Sequence, residues 1–423
     1  MFKSGATKLI GSTVISQVLL SGSNFIVAVV LLRRLGTEPY GYYVLITTGI
    51  MLFAILQGAF FQTRIVAALA AQGGADLPTL VGGLLKTRKR VISVVFSVIT
   101  LSCLLAAATG VVAMSTAVLF IAGTVSGSAV LWREFSRGLL LAHHQGGLAV
   151  KGDVVYAALL LILSYISTFL PNPSLMAVFS IGVASAISAL QLSNYLWNFM
   201  AWNKNAKATS IREISLIGGW AALGAGVHWS FSQGYTFIVA ALLDVNAVAA
   251  IAATRLLLMP VNLLSTGVNQ ALYPLVARWN AAGGLHFAAK KTMSISTVIV
   301  FGCLVYVGLA WLLQDWFFLK LMRHDVPLRA QLVLYWSLLV IVMLIRDEVS
   351  CLLVVQMKVK ALSYFTSIGA VAALAAIFLL IPLVGTEGAL LGVIIGELLN
   401  IFGMLAILVV ELRRGRSGGI EAS

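Results

Sequence analysis

Predominantly apolar runs of roughly twenty residues, parted by short polar breaks, recur about twelve times along the chain, and each is long enough to cross the hydrocarbon core as a helix. The pattern predicts spans over 9–32, 40–64, 91–111, 114–131, 154–170, 174–197, 216–243, 245–275, 294–313, 330–355, 362–383 and 389–410. In lipid every backbone polar group must be satisfied within the protein, so such runs fold as helices. The expected fold class is therefore all-α, a polytopic membrane protein of about twelve transmembrane helices. A polar, basic stretch leaves six spans on either side. It predicts a first six-helix lobe over 1–201, a connector over 202–212 and a second six-helix lobe over 213–423.

Composition agrees. The chain has 423 residues, 60% hydrophobic and 10% charged, with a mean hydropathy of +1.01; soluble domains carry about 25% charged residues. A net charge of +14 would suggest nucleic acid in a soluble protein. Here the basic residues alternate from break to break. Nineteen lie on one side, from Lys3, Lys8, Lys86 and Arg88 through Lys204, Lys207 and Arg212 to Arg413, Arg414 and Arg416; five lie on the other, at Arg33, Arg34, Lys320, Arg323 and Arg329. The asymmetry puts both termini in the cytoplasm and favours an even number of spans, with no nucleic-acid partner and with membrane lipids as neighbours. The first run is too long for a signal-peptide core and reads as an uncleaved span. The opposite-side loops are short turns except 314–328, which leaves little room for an enzyme acting outside the membrane. Cys103, Cys303 and Cys351 all fall in apolar runs and form no metal pattern. Phe25-Ile26-Val27-Ala28 and Phe237-Ile238-Val239-Ala240 close the first and seventh spans, a hint of duplicated halves.

Charge inside a span is costly and calls for a purpose. Arg255 lies about 15 Å into the eighth span. It reads either as an arginine offering its planar fork to phosphate, or as the partner of Asp347, Glu348 or Glu397. Arg346, Asp347 and Glu348 are consecutive in the tenth span and project about 100° apart. They suit a cavity cation with a carboxylate for a coupling ion, or a span that ends early at the interface. Arg64 and Arg133, the latter next to Glu134, sit near span ends, where they either touch a ligand or snorkel to the surface. Glu397 flanks the four-residue stripe of Gly388, Gly392, Gly396 and Asn400, which reads as close helix packing; it is a further coupling-ion candidate. His228 reads as hydrogen-bonded structure or as a proton relay. His143 and His144 read as interfacial loop. Asn24, Gln62, Asn262, Asn269 and Gln270 line a polar path or join helices, and Pro260 kinks the eighth span. No nucleotide-binding loop, metalloprotease motif or nucleophile elbow stands out, so neither a catalytic residue nor a metal site is expected.

Several segments together resemble one family. Leu31 to Tyr43, LLRRLGTEPYGYY, resembles the turn after the first span of bacterial polysaccharide flippases. Ala247 to Leu257 with Pro260 and Tyr273-Pro274 resembles their eighth span, with Arg255 at its arginine. Ile381 to Leu390, IPLVGTEGAL, resembles the turn before their last span. The chain is thus similar to the Wzx-type oligosaccharide-lipid flippases of the multidrug/oligosaccharidyl-lipid/polysaccharide exporter superfamily. The resemblance implies two six-helix lobes around a central cationic cavity, working by alternating access in a bacterial inner membrane. It implies an undecaprenyl-pyrophosphate-linked oligosaccharide as cargo, polysaccharide-assembly proteins as partners, no cofactor, and coupling to a proton or sodium gradient. Twelve spans favour this branch over the lipid II flippases, while the Arg346-Asp347-Glu348 triplet matches no general family motif. Two other classes compete: a drug or organic-cation antiporter, which wants dominant carboxylates such as Asp347 or Glu397, and a membrane polymerase or ligase, which wants a long loop with Arg and His.

Overall fold

The computed structural model describes residues 2–70, 77–198 and 202–420; the side chains of Lys3, Lys8, Asn269, Gln270, Arg414 and Arg416 lie outside what it describes. All its regular structure among the described residues is helical: α1 Phe2–Leu35, α2 Thr37–Gln57, a π turn Gly58–Gln62, α3 Thr63–Ala70, α4 Leu77–Ala108, α5 Met114–Ala142, α6 Gly146–Ser167, α7 Pro173–Trp197, α8 Ile211–Ser232, α9 Tyr235–Leu242, α10 Val245–Leu257, α11 Met259–Asp315, a second π turn Trp316–Met322, α12 Arg329–Val355, α13 Val359–Val384 and α14 Thr386–Ile420. Nine helices among the described residues are long and apolar enough to cross a membrane, or up to ten if one bent pair counts as a span. This is a polytopic membrane protein. The two remaining expected spans coincide with the broken pair α8–α9 and with α12, which carries the charged triplet in its interior.

Three boundaries differ from the sequence reading. The third span was expected to begin at Val91, but α4 begins at Leu77, so Lys86 to Arg90 lie on a helix and not in a loop. The fifth was expected to begin at Val154, but α6 begins at Gly146 and includes Lys151 and Asp153. In both cases charged side chains that look like loop have neutralising or polar partners on neighbouring helices. The stretch 314–328 is not an open loop either: much of it is the second π turn, which buries Phe317, Phe318 and Met322.

The chain divides into two compact units, Met1–Gly226 and Val227–Ser423. In the first, α5 packs on α7, α6 on α1 and α7, and α2 and α4 on α5. Small residues permit this: a Cβ on Gly182 would lie 2.6 Å from Ser126 Oγ. The connector is pinned to α4. Asn203 N donates to Pro78 O (2.9 Å), Thr209 N to Gly83 O (3.3 Å), Lys86 Nζ to Ala206 O (2.8 Å) and Thr87 Oγ1 to Thr209 O (2.6 Å).

In the second unit α14 packs on α13 and α12, and α12 on α11 and α10. The glycine stripe of α14 does what its spacing suggests. Cβ atoms at Gly388 and Gly392 would lie 2.6 Å from Leu380 C and 2.5 Å from Ile377 Cγ1 of α13. The kink expected at Pro260 is a 58° bend between α10 and the start of α11, and Tyr306 Oη caps it by donating to Leu257 O (2.8 Å). A further break, Gly283–Gly284, divides α11, where Gly284 takes φ +71°.

Candidate functional site

The structure sorts the interior arginines into two kinds. In the first unit Arg133 of α5 is 3% exposed and does not snorkel. Its Nη1 lies 3.0 Å from Glu134 Oε1 and its Nη2 3.3 Å from Asp153 Oδ1 of α6. Arg137, one turn on, donates from Nε to Asp153 Oδ2 at 2.8 Å. The Arg133 guanidinium also stacks on Tyr156, 3.6 Å from the ring centroid. Two arginines thus meet two carboxylates, and Asp153 is wholly buried. In the second unit Arg346 is 11% exposed and is held by Asp347 (Nε–Oδ1 3.0 Å, Nη2–Oδ1 2.6 Å) and by Glu397 of α14. His228 of α8 lies in the field of Arg346 and Asp347. These arginines are neutralised where they stand.

Arg255 and Arg88 are of the other kind: among the described residues neither pairs with a carboxylate. Arg255 occupies the last turn of α10, where the helix dipole favours a cation. It donates from Nη1 to Gln233 Oε1 (3.0 Å) and lies 5.3 Å from the Trp336 ring centroid. Trp336 is itself fixed by Nε1 donating to Ile251 O (3.1 Å). Gln233 is available because α8 ends at Ser232, leaving Gln233 in the break before α9. Arg88 of α4 is built the same way. It donates from Nε to Gln57 Oε1 (2.8 Å) and from Nη2 to Leu131 O (3.0 Å), with its guanidinium 4.4 Å from the Phe135 ring centroid. A glutamine oxygen and an aromatic face hold each charge in place without cancelling it. Arg64, half-buried after the first π turn, has an enclosed Nη1 with no hydrogen-bond partner among the described residues.

Of the sequence candidates, Arg346, Asp347, Glu397 and His228 come together in the second unit, with Asn400 beside Glu397. Glu348 points elsewhere. It is buried, near Ser296 and Cys351, and its Oε1 has no hydrogen-bond partner among the described residues. Arg255 forms none of the three ion pairs weighed for it. Gln62 joins helices, its Nε2 donating to Glu134 O (3.2 Å) and Phe135 O (3.3 Å). His143 and His144 follow α5; burial, then the neighbouring His144, lower the His143 pKa from its usual value. No cluster of three metal-ligating side chains occurs among the described residues. Sequence reading missed Arg88 and Asp153, which both sit beside apparent loop. Their signal was charge just ahead of a long apolar run, Asp153 directly before Val154 and Arg88 with Lys89 and Arg90 before Val91.

A profile of the family described as "Polysaccharide biosynthesis protein" matches residues 6–280. No curated protein matches. Among solved structures, a multidrug resistance MATE family transporter of the MOP superfamily in its inward-facing conformation superposes with TM-score 0.74 at 13% identity, covering 94% of this chain and 96% of that one. An outward-facing structure of the same description gives 0.67 at 13% identity, covering 98% and 97%. A MOP superfamily transporter from Pyrococcus furiosus, whose structure is described as having a binding pocket of reverse polarity, gives 0.62 at 13% identity, covering 95% and 94%. At these identities the likeness is one of fold, and the fold is MATE-like.

Proposed function

We propose that this chain, which belongs to the polysaccharide biosynthesis protein family, is a transporter of the Wzx type that moves a polyprenyl-pyrophosphate-linked oligosaccharide across a bacterial inner membrane, from the cytoplasmic to the periplasmic leaflet. Hydrocarbon will not accept a pyrophosphate; a protein that supplies fixed positive charge in its interior lowers that barrier while the prenyl tail stays in lipid. The observation that carries the reading is Arg255, an interior cation held by Gln233 and Trp336 and neutralised by no carboxylate among the described residues. Its planar fork suits bidentate contact with phosphate oxygens. Arg64 and Arg88 add to the same balance. Arg133 and Arg346 do not, since each is already neutralised by carboxylates. No chemical bond changes in this process, and the basic breaks favour cytoplasmic termini.

The Arg346–Asp347–Glu397 group with His228 is the place for gradient coupling in this reading. A proton or sodium ion arriving at either carboxylate competes with Arg346 and changes how α12 is tied to α14. The antiporter reading is weaker, because Asp347 and Glu397, the carboxylates it relied on, are both engaged by Arg346.

The test is reconstitution in proteoliposomes with a labelled polyprenyl-pyrophosphate oligosaccharide, following its movement between leaflets with and without an imposed gradient. Movement in wild type that Arg255→Ala stops supports the reading. Absence of movement in vesicles that exchange an organic cation overturns it.

A further inference from the structure

The first unit contains a cavity of about 260 Å³. Its wall is built by Phe53 and Leu56 of α2, Phe60 of the π turn, Val95 of α4 and Ile214 of α8. A water molecule needs only about 10–15 Å³ of such space, but also two to four polar partners. The cavity has almost none to offer. Gln57 and Thr87 are its only polar side chains among the described residues, and both are committed: Gln57 donates to Leu131 O and accepts from Arg88, and Thr87 donates toward Gly83 O and Thr209 O. The carbonyl of the wall residue Leu131 already takes two donors. Water is disfavoured there and hydrocarbon is favoured.

One end of the cavity adjoins residues of the kind that mark the membrane–water interface. Ile211 is on its wall and opens α8, directly after the connector. The connector begins at Trp202, whose ring lies 4.3 Å from that of Trp197, with Lys204 Nζ 5.1 Å from the Trp197 ring. Tryptophan beside lysine marks headgroup depth. Arg212 follows Ile211, and Lys89 and Arg90 precede the wall residue Val91; all three are exposed.

We infer that this cavity is a binding site for one hydrocarbon tail of an anionic phospholipid of the surrounding bilayer, whose phosphate sits against Lys89, Arg90 and Arg212. Charge complementarity selects an anionic headgroup. The small volume and the interfacial mouth favour a bilayer lipid over the long tail of a polyprenyl cargo. The site adjoins Arg88, because Gln57 and Leu131 of its wall are the residues that hold that arginine.

The test uses the full-length protein in nanodiscs and a phosphatidylglycerol carrying a photoreactive diazirine near its tail end. Expected labelling falls on peptides containing Phe53–Phe60 or Ile214. Unlabelled phosphatidylglycerol competes about tenfold better than phosphatidylcholine, and the triple variant Lys89→Gln, Arg90→Gln, Arg212→Gln, altered only at exposed positions, loses that preference. Label spread evenly over the lipid-facing helices, equal competition by the two lipids, or a preference unchanged in the triple variant overturns the proposal. So does polyprenyl phosphate competing better than phosphatidylglycerol, which would make the cavity a cargo-tail site.

Discussion

Arg133 of α5 and Asp153 of α6 meet at 3.3 Å with the carboxylate wholly out of contact with solvent. Breaking a buried pair by removing one partner typically costs about 3–5 kcal/mol, because the other charge stays behind uncompensated. Asp153→Asn and Arg133→Met are each expected to lower the thermal midpoint of the purified protein well below that of wild type. Arg133→Lys should recover little, since a lysine cannot serve Glu134, Asp153 and the Tyr156 face together. A midpoint within error of wild type for Asp153→Asn would show that Arg133 and Arg137 do not depend on it.

Arg255 should behave in the opposite way. No ion partner is stranded by its loss, so Arg255→Ala is expected to insert and purify normally yet lose transport. Arg255→Lys should keep a part, having the charge without the fork. Leaflet-to-leaflet movement of labelled cargo, normalised to protein in the vesicle, is the measurement.

The second-unit group makes an ordering prediction. Arg346→Gln leaves Glu397, 3% exposed, and Asp347 without their cation, whereas Asp347→Asn leaves Arg346 still paired with Glu397. Thermal unfolding should therefore rank Arg346→Gln as the more damaging by about 2 kcal/mol or more. Asp347→Asn should instead change the response of transport to an imposed proton or sodium gradient.

The connector supplies a fourth test. A Cβ on Gly82 would lie 2.1 Å from Asn203 O, and one on Gly83 would lie 2.6 Å from Thr209 Oγ1. Gly82→Ala and Gly83→Ala should each cost about 1–3 kcal/mol by overpacking and speed proteolysis within residues 202–212. Gly147→Ala, with open space around it, is the control.

Hydropathy made most of the architecture legible, because a membrane-crossing helix declares itself by length and composition alone. Arg255, Arg346 and Glu397 were visible as charges stranded in apolar runs. Arg88 and Asp153 were not, since a charge at the margin of a run resembles its neighbours in the loop until a partner on another helix is known. Nor could a single chain tell which arginine would be neutralised. Arg133 finds Asp153 twenty residues away, while Arg255 finds Gln233 at a helix break that hydropathy does not register. Of the two readings open for Arg133, ligand contact or snorkelling, the snorkelling one does not describe its buried, paired side chain for that reason.

The π turn at Gly58–Gln62 has one effect that reaches beyond its five residues. Gln57 and Gln62 stand five apart, which on a regular α-helix would point them about 140° from each other. Both nevertheless reach the same helix: Gln57 bonds Leu131 O, and Gln62 bonds Glu134 O and Phe135 O, one turn further along α5. The wider coil brings a five-residue interval into step with a single turn of its neighbour, like a gear cut to a different pitch. Deleting one residue there would leave a regular helix with the two glutamines four apart, about 40° from each other, and both would still face α5.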